Sequence, residues 1–223
     1  AIHRDLRDEL LSETGRVRIG VGPVAAPIIA SQVIARCARD HPGIAIEMDV
    51  GTPSEQFPRL VRGDIDMFIG NCDAISLPAN IQARVIDEVE PVFFVRKGHP
   101  LALQPRVELR DLRPWKIAHV RLTTPFAAWY SSAAGVGELH TGFQCDDFEL
   151  LAETVETSDM VSYASPQILA RLLKRYAIAT LDIPGIDFRH HIHCAQPAGR
   201  ALSRPGQKVL QLIEAAFGTA TAR

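Results

Sequence analysis

The segment Leu60–Gly70, with the sequence LVRGDIDMFIG, constrains the fold more than any other stretch of the chain. Leu60 and Val61 end an apolar helical face, and Gly63 can take the left-handed conformation that stops a helix. Met67–Ile69 is apolar throughout, as expected for a strand of a parallel sheet that is covered on both faces. The segment therefore predicts a helix that returns into a buried strand of an α/β domain.

The residues before this segment continue the same pattern. A strand is predicted at Val17–Val21, a helix from Val24 to Arg39, and a second strand at Ile44–Val50. The next helix opens with a capping box, in which Thr52 is the N-cap, Pro53 the first helical residue and Glu55 the third. Together with Met67–Ile69 these elements form a βαβαβ unit, which favours a parallel sheet.

The second half of the chain repeats the alternation of strands and helices. Val92–Val95 predicts a strand, and the helix that starts at Thr123–Phe126 is expected to have Pro125 as its first residue. Asp146 or Asp147 is expected to cap a helix that runs to about Thr157. The remaining predicted elements are a short helix at Leu109–Leu112, strands at Ile117–Val120, Gly142–Cys145, Val161–Ala164, Ile178–Ile183 and Arg189–Ala195, and helices from Ser165 to Arg175 and from Val209 to Phe217.

Composition limits the class of protein. In 223 residues, 47% hydrophobic and 22% charged content is typical of a globular chain that buries a sizeable core. A net charge of −2 gives no basic footprint for nucleic acid. The four cysteines have no CxxC spacing, and neither a secretory signal nor a membrane-spanning run is found. We therefore expect a cytoplasmic location, no membrane partner and no DNA binding by this chain itself.

Two motifs that suggest cofactors are weak. Gly20–Ala25 fits the dinucleotide fingerprint, but the candidate for its ribose-binding acid, Asp49, lies roughly 29 residues after Gly20, where about 20 are expected. Pro23 also removes an amide that could have faced a pyrophosphate. His191 and His193 share a strand face that would suit a transition metal, yet no acidic or sulfur ligand lies at a supporting local spacing. We find no nucleophile elbow, Walker A loop or zincin motif. No cofactor, metal or catalytic residue is predicted.

Three helix starts are better candidates for a binding site: Pro23–Pro27, Thr52–Ser54 and Thr123–Pro125. Helices that follow parallel strands begin at the carboxyl edge of the sheet, where their free amides and partial positive charge favour an anion. The hydroxyl groups of these threonines either add donors or only cap their own helices.

The upstream run Gly15–Gly20 and the segment Leu60–Gly70 resemble the regulatory part of LysR-type transcriptional regulators, over nearly the whole chain. The resemblance implies a type 2 periplasmic-binding-protein fold of two Rossmann-like α/β subdomains, joined by two crossover strands, with a ligand cleft between them. Residues 1–14 would form the end of a linker helix, as the amphipathic Ile2–Leu11 indicates. The first subdomain would contain residues 15–92 and 194–223, and the second would contain residues 93–193. The N-terminal winged helix-turn-helix of the family is absent from this chain.

The resemblance also implies a function and a site. The chain would bind a small effector, expected to be an organic anion, and promoter DNA would be bound only through the absent domain. Homodimers are implied, and tetramers for the full-length protein. Arg121 is the expected anion partner because a guanidinium binds a carboxylate with two hydrogen bonds. The implied effector residues are Val24, Ala25, Thr52, Asn71, Cys72, Arg121, Thr123, Thr124, Thr157 and Ser158.

One departure and two alternatives accompany this interpretation. Many members of the family have a glycine-rich G-x-G where this chain has Ser158–Met160, so the chain departs from the family pattern at the last segment expected to line the pocket. The alternatives are a solute-binding protein of a transporter, which would need an export signal, and a small α/β enzyme, for which no catalytic motif is present.

Overall fold

The computed structural model describes residues 14–218, which divide into two compact units. Unit 1 contains the described residues up to Glu88 and those from His191 on, and unit 2 contains Val89–His190. The helix predicted at Ile2–Leu11 lies outside the described residues.

Unit 1 is built on a five-stranded sheet in the order β2-β1-β3-β10-β4. Strand β1 pairs in parallel with both β2 and β3, whereas β10 is antiparallel to β3. The predicted βαβαβ arrangement is therefore confirmed. The strands are β1 (Gly15–Val21), β2 (Ile44–Val50), β3 (Met67–Gly70), β4 (Ile81–Val89) and β10 (His190–Pro197).

Three helical segments pack on this sheet. Helix α1 consists of Ala26–Ile29 and Ala35–Asp40, with a π-helical turn at Ala30–Ile34 between them. It differs from the uniform helix predicted from Val24, and the local sequence gives no sign of the wider turn. Helix α2 is Pro53–Arg62, and helix α6 is Arg204–Gly218, which contacts β1 and α1.

The segment Leu60–Gly70 folds as predicted. Gly63 ends α2 with a φ of 80°, which only glycine adopts without strain. Leu60 and all residues of Met67–Ile69 are fully buried. The Phe68 ring meets Phe57 of α2 edge-on, with centroids 5.7 Å apart. Helix and strand are thus joined by the core of unit 1.

Unit 2 contains two small sheets. Strand β5 lies between β8 and β9 and is antiparallel to both, while β6 and β7 are parallel. A parallel bridge from Ile117 to Val161 links β6 to the residue before β8. The elements are β5 (Val92–Arg96), β6 (Ile117–His119), α3 (Thr124–Ala134), β7 (Thr141–Gln144), α4 (Phe148–Glu156), β8 (Ser162–Ala164), α5 (Pro166–Leu172) and β9 (Ile178–Thr180).

Aromatic side chains form the centre of unit 2. The Phe126 ring of α3 stacks on Tyr163 of β8, with centroids 4.4 Å apart, and Phe93 of β5 lies 5.8 Å from Tyr163. Burial raises the pKa of Tyr163 far above its usual range. Because these rings come from α3 and from two neighbouring strands of the three-stranded sheet, they hold α3 against that sheet.

His99 is a buried polar residue beside this core. Its side chain is inaccessible to solvent, its Nδ1 accepts the Leu101 N–H at 3.1 Å, and its Nε2 lies 3.3 Å from the Asp159 carbonyl oxygen. Since Nδ1 accepts a hydrogen bond, Nε2 carries the proton and donates. The ring also contacts Trp115, with centroids 4.3 Å apart. Neutral His99 therefore joins the turn after β5 to the segment before β8.

Several element limits differ from those predicted. The sequence indicated no strand between Gly70 and Val92, whereas β4 occupies Ile81–Val89 as an edge strand. Pro125 is the second residue of α3 and not the first, and α5 ends at Leu172 before the predicted Arg175. The segment Leu109–Leu112 is a 3₁₀ turn, as is Pro100–Leu103, and β9 is shorter than predicted. In the part of the chain that the structure covers, no helix has the length and apolarity that crossing a bilayer needs.

Candidate functional site

The parallel strands of unit 1 bring five sequence-predicted site residues to one edge of the sheet. Strands β1, β2 and β3 all end at this edge, which we call the unit 1 edge, and the loops that follow them are hydrogen-bonded to each other. The Gly22 N–H donates to the Ile69 carbonyl at 2.8 Å, and the Gly51 N–H donates to the Val21 carbonyl at 2.9 Å. The residues placed there are Val24, Ala25, Thr52, Asn71 and Cys72.

Two glycines let these loops approach closely. A Cβ added at Gly22 would lie 3.3 Å from Gly70 Cα, and one added at Gly70 would lie 2.7 Å from the Phe68 ring. Any larger residue at either position would push the loop after β1 away from β3. At these two positions the unit 1 edge therefore presents backbone atoms and no side chains.

Thr52 forms the predicted cap and is satisfied by an acid of its own helix. The Glu55 carboxylate accepts the Thr52 backbone N–H at 2.7 Å and the Thr52 hydroxyl at 2.8 Å. A carboxylate at a helix N-terminus is favoured by the helix dipole. Both donors of Thr52 are therefore engaged by a negatively charged oxygen, which Glu55 supplies.

Asn71 and Cys72 offer less than the sequence suggested. The Asn71 side-chain amide donates to Asp73 at 2.8 Å and to the His191 carbonyl at 3.0 Å, and its oxygen accepts the Asp73 N–H at 3.2 Å. Cys72 is buried, and burial raises the pKa of its thiol to about 12. Asn71 therefore shapes the loop after β3, and Cys72 belongs to the core.

The structure adds His191 and Asp73 to this edge. Because β10 is antiparallel to β3, its first residues lie where β3 ends. His191 Nδ1 is 3.1 Å from both carboxylate oxygens of Asp73, and His191 Nε2 is 3.6 Å from Glu88. The sequence had shown these histidines but not the acids, which lie up to 118 residues away along the chain.

The geometry of His193 argues against a metal at this cluster. His193 Nδ1 accepts the Cys72 backbone N–H at 3.3 Å, so in the neutral ring the proton must sit on Nε2, which faces Asp73 at 3.6 Å. A protonated nitrogen has no lone pair for a metal. Within residues 14–218 no group of three or more His, Cys, Asp or Glu side chains has the arrangement of a metal site. Burial lowers the pKa of His193, which keeps the ring neutral.

Unit 2 has a corresponding edge, formed by the ends of β6 and β7. Arg121 follows β6 and Asp146 follows β7, and the Cys145 N–H donates to the His119 carbonyl at 3.0 Å. Thr123 caps α3, with its hydroxyl accepting the Phe126 N–H at 3.4 Å, and Thr124 is the first helical residue. We call this group the unit 2 edge.

Arg121 is already paired at this edge. Its backbone N–H donates to Asp146 Oδ1 at 2.7 Å, and its guanidinium Nη2 lies 3.1 Å from Asp146 Oδ2. His119 lies nearby, donating from Nδ1 to the Val120 carbonyl and accepting the Thr141 hydroxyl at Nε2; burial lowers its pKa. One carboxylate thus holds both a backbone and a side-chain donor of Arg121.

Thr157 and Ser158 are not brought to the unit 2 edge. Helix α4 starts at that edge and leads back across the sheet over nine residues, a rise of roughly 13 Å. The Val161 N–H then donates to the Lys116 carbonyl, which precedes β6. Thr157 and Ser158 therefore lie at the opposite, amino edge, and both hydroxyls donate back to carbonyls of α4. The structure separates them from Arg121, Thr123 and Thr124.

A sequence profile of the family described as "LysR substrate binding domain" matches residues 12–218. Among characterised proteins, the chain is 26% identical over 204 residues to the SDS degradation transcriptional activation protein of a Pseudomonas species, which covers 90% of this chain and 66% of that protein. The chain therefore spans about two thirds of that relative's length.

Solved structures agree on the fold. HinK, a LysR family transcriptional regulator from Pseudomonas aeruginosa, superposes with a TM-score of 0.77 at 17% identity, over 98% of this chain and 76% of HinK. A sulfate-bound point mutant of the OxyR2 regulatory domain from Vibrio vulnificus gives a TM-score of 0.73 at 14% identity, over 92% of this chain and 97% of that domain. With a profile match over most of its length, the chain belongs to the LysR substrate binding domain family, the effector-sensing part of LysR-type transcriptional regulators.

Proposed function

We propose that this chain senses a small organic anion through the donor groups of the unit 1 and unit 2 edges. The proposal includes control of DNA binding by a separate domain of a longer protein, since the chain spans only part of its relatives. Family membership favours this function over a solute-binding protein or an enzyme. The observation that carries the proposal is the convergence of helix starts and Arg121 at the carboxyl edges.

The acids of the chain support an anionic ligand. Glu55 binds the donors of Thr52, Asp146 binds those of Arg121, and Asp147 accepts the Glu149 N–H at 2.8 Å at the start of α4. Each of these donor groups is thus engaged by a carboxylate, which is the chemistry that helix N-termini and guanidinium groups favour. An effector carboxylate would use the same donors.

Regulation requires that the effector distinguish two arrangements of the protein. A ligand shifts such an equilibrium only by the difference between its affinities for the two arrangements. An effector that binds the donors of these edges more tightly in one arrangement supplies that difference. The change would then pass to the DNA-binding domain through the segment that precedes residue 14.

Calorimetric titration with a panel of small carboxylates tests the ligand. Thr52→Val and Arg121→Ala are each expected to weaken binding by about 1–3 kcal/mol, which is the range for a hydrogen bond to a charged group. Thr157→Val is the matched control, because it removes a hydroxyl at the amino edge and should leave affinity unchanged. Circular dichroism checks the fold of each variant. Preference for a neutral or cationic compound would overturn the assignment, as would parental affinity in both Thr52 and Arg121 variants.

Gel-shift titration at physiological salt tests whether DNA is bound by a separate domain and not by this chain. This chain is expected to show no specific DNA affinity, because its net charge is −2, whereas the full-length protein should bind promoter DNA. Tight, sequence-specific binding by this chain alone would contradict the proposal.

A further inference from the structure

The Arg121–Asp146 pair has the geometry of a bound anion. Asp146 uses one oxygen for the Arg121 backbone N–H at 2.7 Å and the other for the guanidinium at 3.1 Å. These are the two donors that the proposed function offers to an effector carboxylate. We call the backbone N–H and the guanidinium of Arg121 the Arg121 cradle.

We propose that Asp146 is an internal competitor that occupies the Arg121 cradle and must leave it when an anionic ligand binds. This inference rests on the proposed function, because it names the regulation of the same site. It assigns Asp146 a role in setting affinity and ligand charge, whereas the sequence had suggested it only as an alternative helix cap.

The local structure lets Asp146 leave without damage to the fold. The cap of α4 is Asp147, whose Oδ1 accepts the N–H groups of Glu149 and Leu150. The Asp146 carboxylate is bonded to Arg121, it also interacts electrostatically with His119, and its side chain is already 28% exposed. Rotation of Asp146 into solvent therefore exchanges one carboxylate for another at the cradle and keeps the helix capped.

The exchange has consequences for affinity and for the kind of ligand. Only the fraction of molecules with an open cradle can bind, so the apparent affinity falls by that fraction. A partly exposed pair contributes little, which sets the reduction at about 2- to 6-fold. A ligand must also replace two charge-assisted contacts. Carboxylates and sulfate-like anions can do so, whereas a neutral carbonyl or hydroxyl group lacks the negative charge that the guanidinium favours.

Titration with sodium sulfate, at constant ionic strength and followed by the ¹H–¹⁵N signal of the Arg121 amide, tests the inference. Asp146→Asn is expected to bind sulfate about 2- to 6-fold more tightly than the parent chain. Asp147→Asn is the matched control, since it removes the same charge one residue away, and asparagine also caps helices. Its affinity should equal that of the parent. In the double variant Arg121→Ala/Asp146→Asn, sulfate binding is followed by the amide signal of Leu122. Its affinity for sulfate should be no higher than that of the parent chain.

Three results would overturn the inference. These are an Asp146→Asn affinity no higher than the parent's, an equal gain in Asp147→Asn, and absence of sulfate binding even in Asp146→Asn. None of them decides the proposed function, which depends on the carboxylate panel and the Thr52 and Arg121 variants. If Arg121→Ala weakens carboxylate binding while Asp146→Asn leaves sulfate binding unchanged, the proposed function stands and Asp146 is not a competitor.

Discussion

Replacement of His99 by alanine should destabilise the domain by about 3 kcal/mol. The Leu101 N–H, on a residue that is only 3% exposed, would lose its acceptor, which costs about 1–3 kcal/mol for a buried donor. Asp159 is exposed, so water can replace the bond to its carbonyl, and that loss is about 0.5–1.5 kcal/mol at most. Loss of the Trp115 contact adds about 0.5–1.5 kcal/mol.

Urea unfolding followed by circular dichroism measures this change. The urea concentration at the midpoint of unfolding should fall. The slope of the unfolding free energy against urea concentration should stay constant, since the surface exposed by unfolding is unchanged. His140→Ala is the control, because His140 is exposed and its substitution should shift stability by less than about 0.5 kcal/mol. A His99→Ala loss below about 1 kcal/mol would refute the role of the two hydrogen bonds.

The same residue gives a pH dependence with a defined sign. Burial lowers the pKa of His99 below the ordinary value of 6.5, so the unfolded chain binds more protons at mildly acidic pH. Stability is fully present above pH 6.5 and is lost as pH falls through the lower pKa of the folded state. The pKa values of His119 and His193 are lowered in the same way, so His99→Ala should reduce the acid sensitivity without abolishing it. Equal acid sensitivity in parent and variant would contradict the linkage.

Three further outcomes are expected. Gly63→Ala should lower stability by about 1 kcal/mol in the same urea assay, because its φ is 80°, while Gly137→Ala, with no atom within 4 Å of the added Cβ, should change it little; equal losses would contradict the conformational reason. Reaction with Ellman's reagent in the native state should modify Cys145 first, because the other three cysteines are buried; rapid loss of the Cys72 thiol, whose pKa is raised to about 12, would contradict this. Sedimentation at micromolar concentration should show at least a dimer, to which we expect the helix face at 31–38 to contribute, and a strictly monomeric chain would leave that prediction without support.

Several signals that act within a few residues were predicted correctly, although α3 begins one residue earlier than its Pro125 suggested. The cap at Thr52, the helix end at Gly63 and the choice of Asp147 or its neighbour as a cap depend on bonds that span at most four residues. Ser165 likewise caps α5, accepting the Ile168 N–H. Both partners of such a bond lie in the same short segment, so the local sequence is sufficient to predict where the helix begins or ends.

Features that depend on distant partners were missed. Strand β4 buries Asp87 but leaves Val85 at 47% exposure, so its sequence lacks the alternation that marks a strand, and it is held by β10 more than a hundred residues later. The Arg121–Asp146 pair requires β6 and β7 to be neighbours, which no local pattern reveals. For the same reason Thr157 was grouped with Arg121, although helix α4 carries it to the opposite edge.

Unit 2 is inserted into unit 1 at one place, between the neighbouring strands β4 and β10. The chain leaves unit 1 after Glu88 and returns at His191, and these residues are side by side, with 3.6 Å between His191 Nε2 and the Glu88 carboxylate. The other ends of β4 and β10 are joined by a 2.7 Å hydrogen bond from the Ala198 N–H to the Asn80 carbonyl. Unit 2 is therefore an insertion whose two ends meet in adjacent strands, a placement at which grafted domains are well tolerated. Two cuts in neighbouring strands would transfer the Arg121 cradle and Asp146 to another member of the family as one module.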